Sequence, residues 1–280
     1  MNIAEFCCLT FFGSVAAGFL GALTGLGGGI IIIPLLTLAF GVDIRYAIGA
    51  AIVSVIATSC GAAAAYVKEG FSNIRLGMFL EMATTFGALF GAAVAARIST
   101  ESIAVIFGIV LFYSALISAR DDAPAATKDT PDFLADSLHL DGIYPGLAGP
   151  VSYRVHHIPT GFSLMFLAGT LSGLLGIGSG AVKVLAMDRA MHVPFKVSTT
   201  TSNFMIGVTA AASASVYLNR GYIDPALAMP VMLGVVLGSL SGSRVLISSR
   251  SRHIRRIFAG VIMVMGVEMI YNGVTGRLLP

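Results

Sequence analysis

The chain has 280 residues, of which 56% are hydrophobic and only 11% are charged. A soluble domain carries roughly 25% charged residues, so this composition excludes an ordinary soluble protein. Mostly apolar segments of about 18 residues or more recur along the chain, and each could span the hydrocarbon of a bilayer. The composition therefore predicts an all-α, polytopic protein embedded in lipid. Residues Met1–Glu5 lack a basic region, so no signal peptide is expected.

The predicted elements form two halves, each with one glycine-interrupted segment followed by three helices. In the first half, 1–119, these elements are expected at 4–40, 45–67, 74–97 and 102–119. A stretch rich in charged residues and proline, 120–159, is predicted to be a cytoplasmic linker. In the second half, 160–280, the elements are expected at 160–191, 196–218, 224–247 and 253–275.

The two halves are copies of one unit. The cluster Gly25–Gly29 recurs as Gly176–Gly180, and the same offset of 151 positions pairs identical residues elsewhere, such as Tyr66 with Tyr217. Matching interruptions of apolar segments in duplicated halves are a sequence indication of a transporter's binding site. The duplication therefore predicts a transporter with its site near the two glycine clusters.

The distribution of lysine and arginine predicts how the halves sit in the membrane. If each interrupted segment enters the membrane and returns, twelve of these residues lie on one side and four on the other. If it crosses once, the division is nine against seven. Because basic residues concentrate in the cytoplasm, the first arrangement is favoured. It inverts the second half relative to the first, so we predict an inverted-topology repeat with both chain ends outside the cytoplasm.

The glycine clusters predict an anion site. Each glycine disfavours a helix by about 1 kcal/mol, so the clusters should be unwound. The half-helices that follow, Ile30–Phe40 and Ala181–Met191, would be only about 16 Å long, and their N-terminal N–H groups would point to the protein centre. The alternative is that the glycines only allow close helix packing. The predicted substrate-binding residues of the breaks are Gly25, Gly27, Gly28, Gly29, Gly176, Gly178, Ser179 and Gly180.

Hydroxyl and amide side chains follow the breaks. After the second break, Thr199, Ser202 and Asn203 lie in the next helix, where they could donate hydrogen bonds to a desolvated anion. In the first half, Ser54 and Thr58 belong to the equivalent helix and are predicted to contribute as well. The alternative for all five is ordinary hydrogen bonding within and between membrane helices.

Two charged residues interrupt the apolar pattern in one half only. Lys183 takes the place of Ile32, and it could either neutralise an anionic substrate or extend to the membrane surface. Glu81 takes the place that Met232 has in the second half. An intramembrane carboxylate is a candidate for proton coupling, with a structural polar contact as the alternative.

The glycine break followed by Ile30-Ile31-Ile32-Ile33-Pro34-Leu35-Leu36 resembles the TauE/SafE family of sulfite exporters, as does Gly176–Gly180 followed by Phe195–Asn203. The resemblance implies a prokaryotic inner-membrane permease that exports sulfite or organosulfonates, with its glycine-rich regions near a central substrate path. The chain departs from the family pattern at Leu185, where the family usually has proline, and at Ser179 and Lys183.

The sequence therefore predicts a secondary transporter of a small sulfur-containing anion, working by alternating access between its halves. An anion channel of the same architecture and a permease for another small anion are the alternatives. The chain has no P-loop and no catalytic motif such as His-Glu-x-x-His, so an enzyme is not expected. No cofactor, metal or nucleic-acid partner is expected, and the sequence leaves open whether the protein is a monomer or a homodimer.

Overall fold

A computed structural model describes residues 3–24, 28–68, 70–119, 132–146, 149–248 and 252–276. These residues are mostly helical, which confirms the predicted all-α class. The first half contains α1 (Ile3–Thr24), α2 (Gly29–Pro34), α3 (Ile44–Lys68), α4 (Ile74–Ala95) and α5 (Thr100–Ala119). A short helix and a hairpin follow: α6 (Phe133–Ser137), β1 (Gly142–Gly146) and β2 (Gly149–Tyr153). The second half contains α7 (Ile158–Leu175), α8 (Gly180–Leu185), α9 (Phe195–Asn219), α10 (Pro225–Ser248) and α11 (Arg252–Thr275).

Local sequence signals explain where equivalent helices begin in the two halves. The side chain of Asn73 accepts a hydrogen bond from the Leu76 N–H at the start of α4. Its counterpart Asp224 accepts one from the Ala226 N–H at the start of α10. These residues satisfy N–H groups that have no partner within the helix, so both copies start at the same position of the repeat.

Each interrupted segment folds back on itself, whereas its return to the same side of the membrane stays a prediction. Both half-helices end in a π-helical turn at equivalent positions, Leu35–Ala39 after α2 and Ala186–Ala190 after α8. The rings of Phe6 and Phe40 lie 5.2 Å apart, so the half-helix ends beside the start of α1. Leu185 occupies the position of Pro34, yet the π-helical turn still follows it, so this departure from the family pattern leaves the backbone unchanged.

The halves are interlocked, because α1 packs along α10 of the other half and α7 packs along α4. The same glycine contact occurs in both pairs. A Cβ on Gly238 would lie 2.1 Å from the Val15 carbonyl oxygen, and a Cβ on the equivalent Gly87 would lie 2.2 Å from that of Phe166. The central helices α3 and α9 pack together, as do α5 and α11. The duplicated unit thus keeps its packing, whereas its inversion across the membrane stays a prediction.

The helical surface suits a lipid environment. Within the described part of the chain, four helices are long and apolar enough to cross a membrane: Glu5–Ala22, Ile74–Ala95, Ile158–Leu175 and Pro225–Gly242. Large apolar side chains such as Phe12, Phe86 and Val264 are exposed on α1, α4 and α11. In water these surfaces would be unfavourable, whereas lipid chains can cover them.

The described part of 120–159 packs against both halves. The Asn73 side-chain amide donates hydrogen bonds to the Leu140 carbonyl and to the Tyr153 hydroxyl, both at 2.8 Å. Burial raises the pKa of Tyr153 to about 12, so this phenol stays neutral at physiological pH. The His156 N–H donates to the Met191 carbonyl, where the second interrupted segment ends. The location of this segment in the cytoplasm stays a prediction.

Candidate functional site

The two glycine breaks contact each other. A Cβ on Gly29 would lie 3.1 Å from the Gly176 carbonyl oxygen and 2.7 Å from the Val55 side chain. A Cβ on Gly178 would lie 2.7 Å from Ile206 and 3.1 Å from Val55. Val55 and Ile206 are equivalent residues of the repeat, so the breaks meet between the central helices of both halves. Of the predicted residues, Gly25 and Gly27 lie outside the described ranges.

The backbones of the two breaks differ at equivalent positions. Gly176 and Gly178 have φ values of 67° and 71°, in the left-handed region that glycine adopts without steric cost. Ser179 also lies there, with φ 45°, which costs a residue with a Cβ roughly 1 kcal/mol. Its counterpart Gly28 has an ordinary right-handed conformation. The strain at Ser179 therefore belongs to the second break alone.

Two predicted residues near the second break have buried polar atoms without a hydrogen-bond partner among the described residues. They are the Ser179 hydroxyl and the Asn203 side-chain amide nitrogen, in residues that are only 2% and 4% exposed. A buried donor without a partner typically costs about 1–3 kcal/mol. A buried polar group without a partner in a native protein calls for an explanation, and ligand binding is one.

The other predicted hydroxyls are already satisfied. Ser202 donates to the Gly180 carbonyl at 3.3 Å, which ties α9 to the start of α8. Ser54, Thr58 and Thr199 each donate to a carbonyl one turn earlier in their own helix, at 2.7, 2.8 and 2.9 Å. These three residues therefore favour the alternative of ordinary helix hydrogen bonding.

Ser59, which was not among the predicted site residues, connects the two central helices. Its hydroxyl donates to the Asn203 backbone carbonyl at 2.5 Å and accepts from the Gly207 N–H at 3.0 Å. In a regular helix the Gly207 N–H would donate directly to the Asn203 carbonyl. The Ser59 hydroxyl bonds to both groups and so bridges this turn of α9. No signal in the sequence distinguishes Ser59 from the neighbouring hydroxyls.

The structure brings Lys183 and Glu81 together, although a separate role was predicted for each. Lys183 is fully buried, and its ammonium group donates a 2.5 Å hydrogen bond to the Thr209 hydroxyl. Thr209 in turn donates to Glu81 Oε1 at 2.6 Å. The Lys183 Nζ lies 3.9 Å from Glu81 Oε2, so the two charges form an ion pair. Lys183 therefore does not extend to the surface in this structure.

We call Lys183, Glu81, Thr209 and Thr85 the charged cluster. Thr85 contributes a 3.3 Å hydrogen bond to Glu81 Oε1. The cluster joins α4, α8 and α9, and neither threonine was predicted as a site residue. A sequence signal did exist, because unduplicated charges of opposite sign in membrane segments tend to pair with each other.

Three histidines lie close together beside the hairpin. The His192 ring is 5.9 Å from that of His156 and 5.8 Å from that of His157. Within the described ranges, however, no group of three or more histidine, cysteine or acidic residues could hold a metal ion.

Comparison with known proteins agrees with a membrane transporter. A sequence profile of the sulfite exporter TauE/SafE family matches residues 10–269. The "probable membrane transporter protein" YunE of Bacillus subtilis strain 168 is 27% identical over 96% of this chain and 99% of its own length. A similarly named protein of Methanocaldococcus jannaschii, MJ0441, is 24% identical over 90% of this chain and 91% of its own length. No solved structure is significantly similar to the chain.

The match covers both interrupted segments and nearly all of the helices around them. The relatives of this chain are named as transporters and not as enzymes. The described helices are apolar enough for a multi-pass membrane protein. The chain therefore belongs to the TauE/SafE sulfite exporter family.

Proposed function

We propose that the protein is a secondary transporter that exports a small sulfur-containing anion, such as sulfite or an organosulfonate. The observation that carries this proposal is the contact between the two glycine breaks, beside buried donors that have no partner among the described residues. The sulfur chemistry rests on the family, whose description names sulfite.

The donors around the second break suit an oxyanion. The Ser179 hydroxyl and the Asn203 amide can each donate a hydrogen bond, and neither has an acceptor among the described residues. Lys183 lies one turn into α8 and supplies a buried positive charge. An anion that accepted these hydrogen bonds would remove the energetic cost of the unpaired donors.

The interlocked halves provide a route to alternating access. In transporters built from inverted repeats, the halves move against each other around a site at the bilayer midplane. We propose that the contact of Gly29 with Gly176 is this midplane site. Motion of the α1–α10 and α4–α7 pairs around it would then expose the anion to each side in turn.

Counterflow in proteoliposomes tests the proposal. Vesicles loaded with sulfite should take up radiolabelled sulfite saturably and without ATP, and unlabelled organosulfonates should compete. Asn203→Ala should weaken the apparent affinity about tenfold, the effect of losing one hydrogen bond to a charged group. Ser54→Ala is the matched control and should leave affinity unchanged, because Ser54 is satisfied within its own helix.

The outcomes separate the alternatives. Flux that does not saturate would favour an anion channel, and a requirement for ATP would overturn secondary transport. Exchange of other small anions without exchange of sulfite or a sulfonate would overturn the proposed substrate.

A further inference from the structure

The charged cluster is incompletely satisfied. An ammonium group has three N–H donors, and among the described residues only Thr209 accepts one from Lys183. Glu81 Oε2 is buried without a hydrogen-bond partner, and its 3.9 Å separation from Lys183 Nζ exceeds hydrogen-bond distance. A buried ion pair stabilises a fold only when its geometry is good and its remaining groups are bonded. This geometry instead leaves both partners open to another ligand.

We propose that Lys183 and Glu81 form a proton-dependent switch, in which protonation of Glu81 releases Lys183 to bind the transported anion. The inference rests on the proposed function and adds the coupling ion. The proton binds Oε2, the oxygen without a donor, while Thr209 continues to donate to Oε1. The anion then accepts hydrogen bonds from the N–H groups of Lys183 that Thr209 does not use.

Charge balance determines the direction of coupling. In the empty site, the Lys183 cation and the Glu81 carboxylate sum to zero. In the loaded site, the Lys183 cation and one monovalent anion also sum to zero, because Glu81 is neutral. A net charge buried in a membrane protein is costly, so the anion and the proton should move together and not singly. The switch therefore predicts electroneutral symport of one proton with one monovalent anion, which exports the anion when its outward gradient exceeds the inward proton gradient.

No other charged group contacts the pair within the described ranges. Helix α7 has no ionisable residue, and α9 presents the uncharged Thr209 to the pair. The remaining ionisable residues of the elements packed around the pair, α9 included, are engaged or exposed elsewhere: Lys196 over Phe71, Tyr217 on the Leu174 carbonyl, Asp188 with Arg189, and the exposed Arg75, Glu101 and Tyr113. Glu81 is thus the charged group beside Lys183 among the described residues.

Methanesulfonate is a suitable probe, since it stays monovalent across the pH range of the assay. Proteoliposomes with potassium and valinomycin fix the membrane potential while the outside is made acidic. At equilibrium we expect about tenfold accumulation for each unit of pH difference, since one unit is a tenfold ratio of proton activity. A change of potential at equal pH should drive no accumulation.

Glu81→Gln tests the residue, because glutamine imitates the protonated carboxyl group. This variant should retain methanesulfonate counterflow and lose accumulation driven by the pH gradient. Glu101→Gln, which alters an exposed carboxylate at the start of α5, is the control and should retain both. A pH-sensitive dye inside vesicles of the unmodified protein provides a measurement that needs no variant. Entry of methanesulfonate should acidify the lumen by one proton per anion.

The readouts distinguish two failures. Counterflow without a response to the pH gradient would overturn the switch and leave the proposed transport function standing. Absence of counterflow with methanesulfonate and with sulfite would overturn both. Accumulation that persists in Glu81→Gln, or uptake without acidification, would overturn the switch.

Discussion

The same packing arrangement occurs twice in this protein, once with charges and once without. Around the second half-helix, Glu81 of α4 in the first half meets Lys183 of α8 and Thr209 of α9 in the charged cluster. The equivalent positions around the first half-helix are occupied by Met232, Ile32 and Thr58. Thr58 there only donates to the Ser54 carbonyl of its own helix.

The apolar copy shows that the repeat can form without an ion pair at this position. Ile32 is fully buried in the core cluster formed by α2, α3 and neighbouring helices. Replacing a buried ion pair by apolar residues of similar size is often neutral or stabilising. The charges around the second half-helix therefore have a better explanation in function than in folding, and the following variants test this comparison.

The largest change in the free energy of unfolding is expected when one charge of the Lys183–Glu81 pair is removed. Lys183→Ile copies the residue of the first half and leaves Glu81 buried without its counter-charge, which should destabilise the protein by about 3 kcal/mol. Thermal unfolding in detergent, followed by circular dichroism because the chain has no tryptophan, measures this change. The double variant Lys183→Ile with Glu81→Met should recover stability without transport. A single variant as stable as the unmodified protein would contradict the comparison.

Close glycine packing should be equally important in both halves. A Cβ on Gly169 would lie 2.1 Å from the Thr84 carbonyl oxygen, and one on the equivalent Gly18 would lie 2.5 Å from that of Val235. Each glycine-to-alanine change should destabilise the protein by about 2 kcal/mol, since backbone cannot move aside easily. The unfolding assay measures both, with Gly260→Ala as the control because a Cβ there meets nothing. If only one of the two alanine variants were destabilised, the copies would pack differently.

Equivalent helix caps should differ in importance. Asn73→Ala removes the cap of α4 and the hydrogen bonds to Leu140 and Tyr153, for a loss of about 2 kcal/mol. Asp224→Ala removes only the cap of α10, for a loss of about 1 kcal/mol. Asn73→Asp keeps the cap and removes the amide donors, so it isolates their contribution. Equal unfolding temperatures for the two alanine variants would mean that the hairpin adds nothing to stability.

The smallest change in stability is expected at Ser179, whose backbone is strained. Ser179→Gly should relieve the left-handed backbone and stabilise the protein by up to about 1 kcal/mol. In the counterflow assay the same change should weaken anion affinity, because it removes the unpaired hydroxyl. The matched control is Gly28→Ser, where the backbone is right-handed and a Cβ makes ordinary contacts at 3.6 Å. If Ser179→Gly neither stabilises nor weakens binding, the difference between the two breaks is incidental.

The helices and the breaks could be predicted because their signals are local. Apolar runs, glycine clusters and capping residues such as Asn73 act within a few positions, and the repeat doubled each signal. The glycine clusters also predicted which segments would meet, since only residues without a Cβ allow the contact of Gly29 with Gly176.

Contacts between distant residues could not be derived in the same way. Lys183 and Glu81 lie in different copies, and the interlocked packing of α4 with α7 brings them close. The αL backbone at Ser179 runs against the preference of the residue type, because Gly28 would be expected to adopt it. The hairpin was missed because its glycine and proline residues, such as Pro145 and Pro150, are typical of a linker.

Interlocking also has a consequence for biosynthesis. Helix α1 is made first, yet its partner α10 begins at Pro225, about 200 residues after α1 ends. At roughly 5–20 residues per second, α1 waits about 10–40 seconds for that partner to emerge from the ribosome. During this interval the carbonyl groups of Val15 and Phe19, which later lie against glycines of α10, face lipid or an insertion factor. A ribosome that stalls before α10 would therefore leave a first half in the membrane with the α10-facing surface of α1 uncovered.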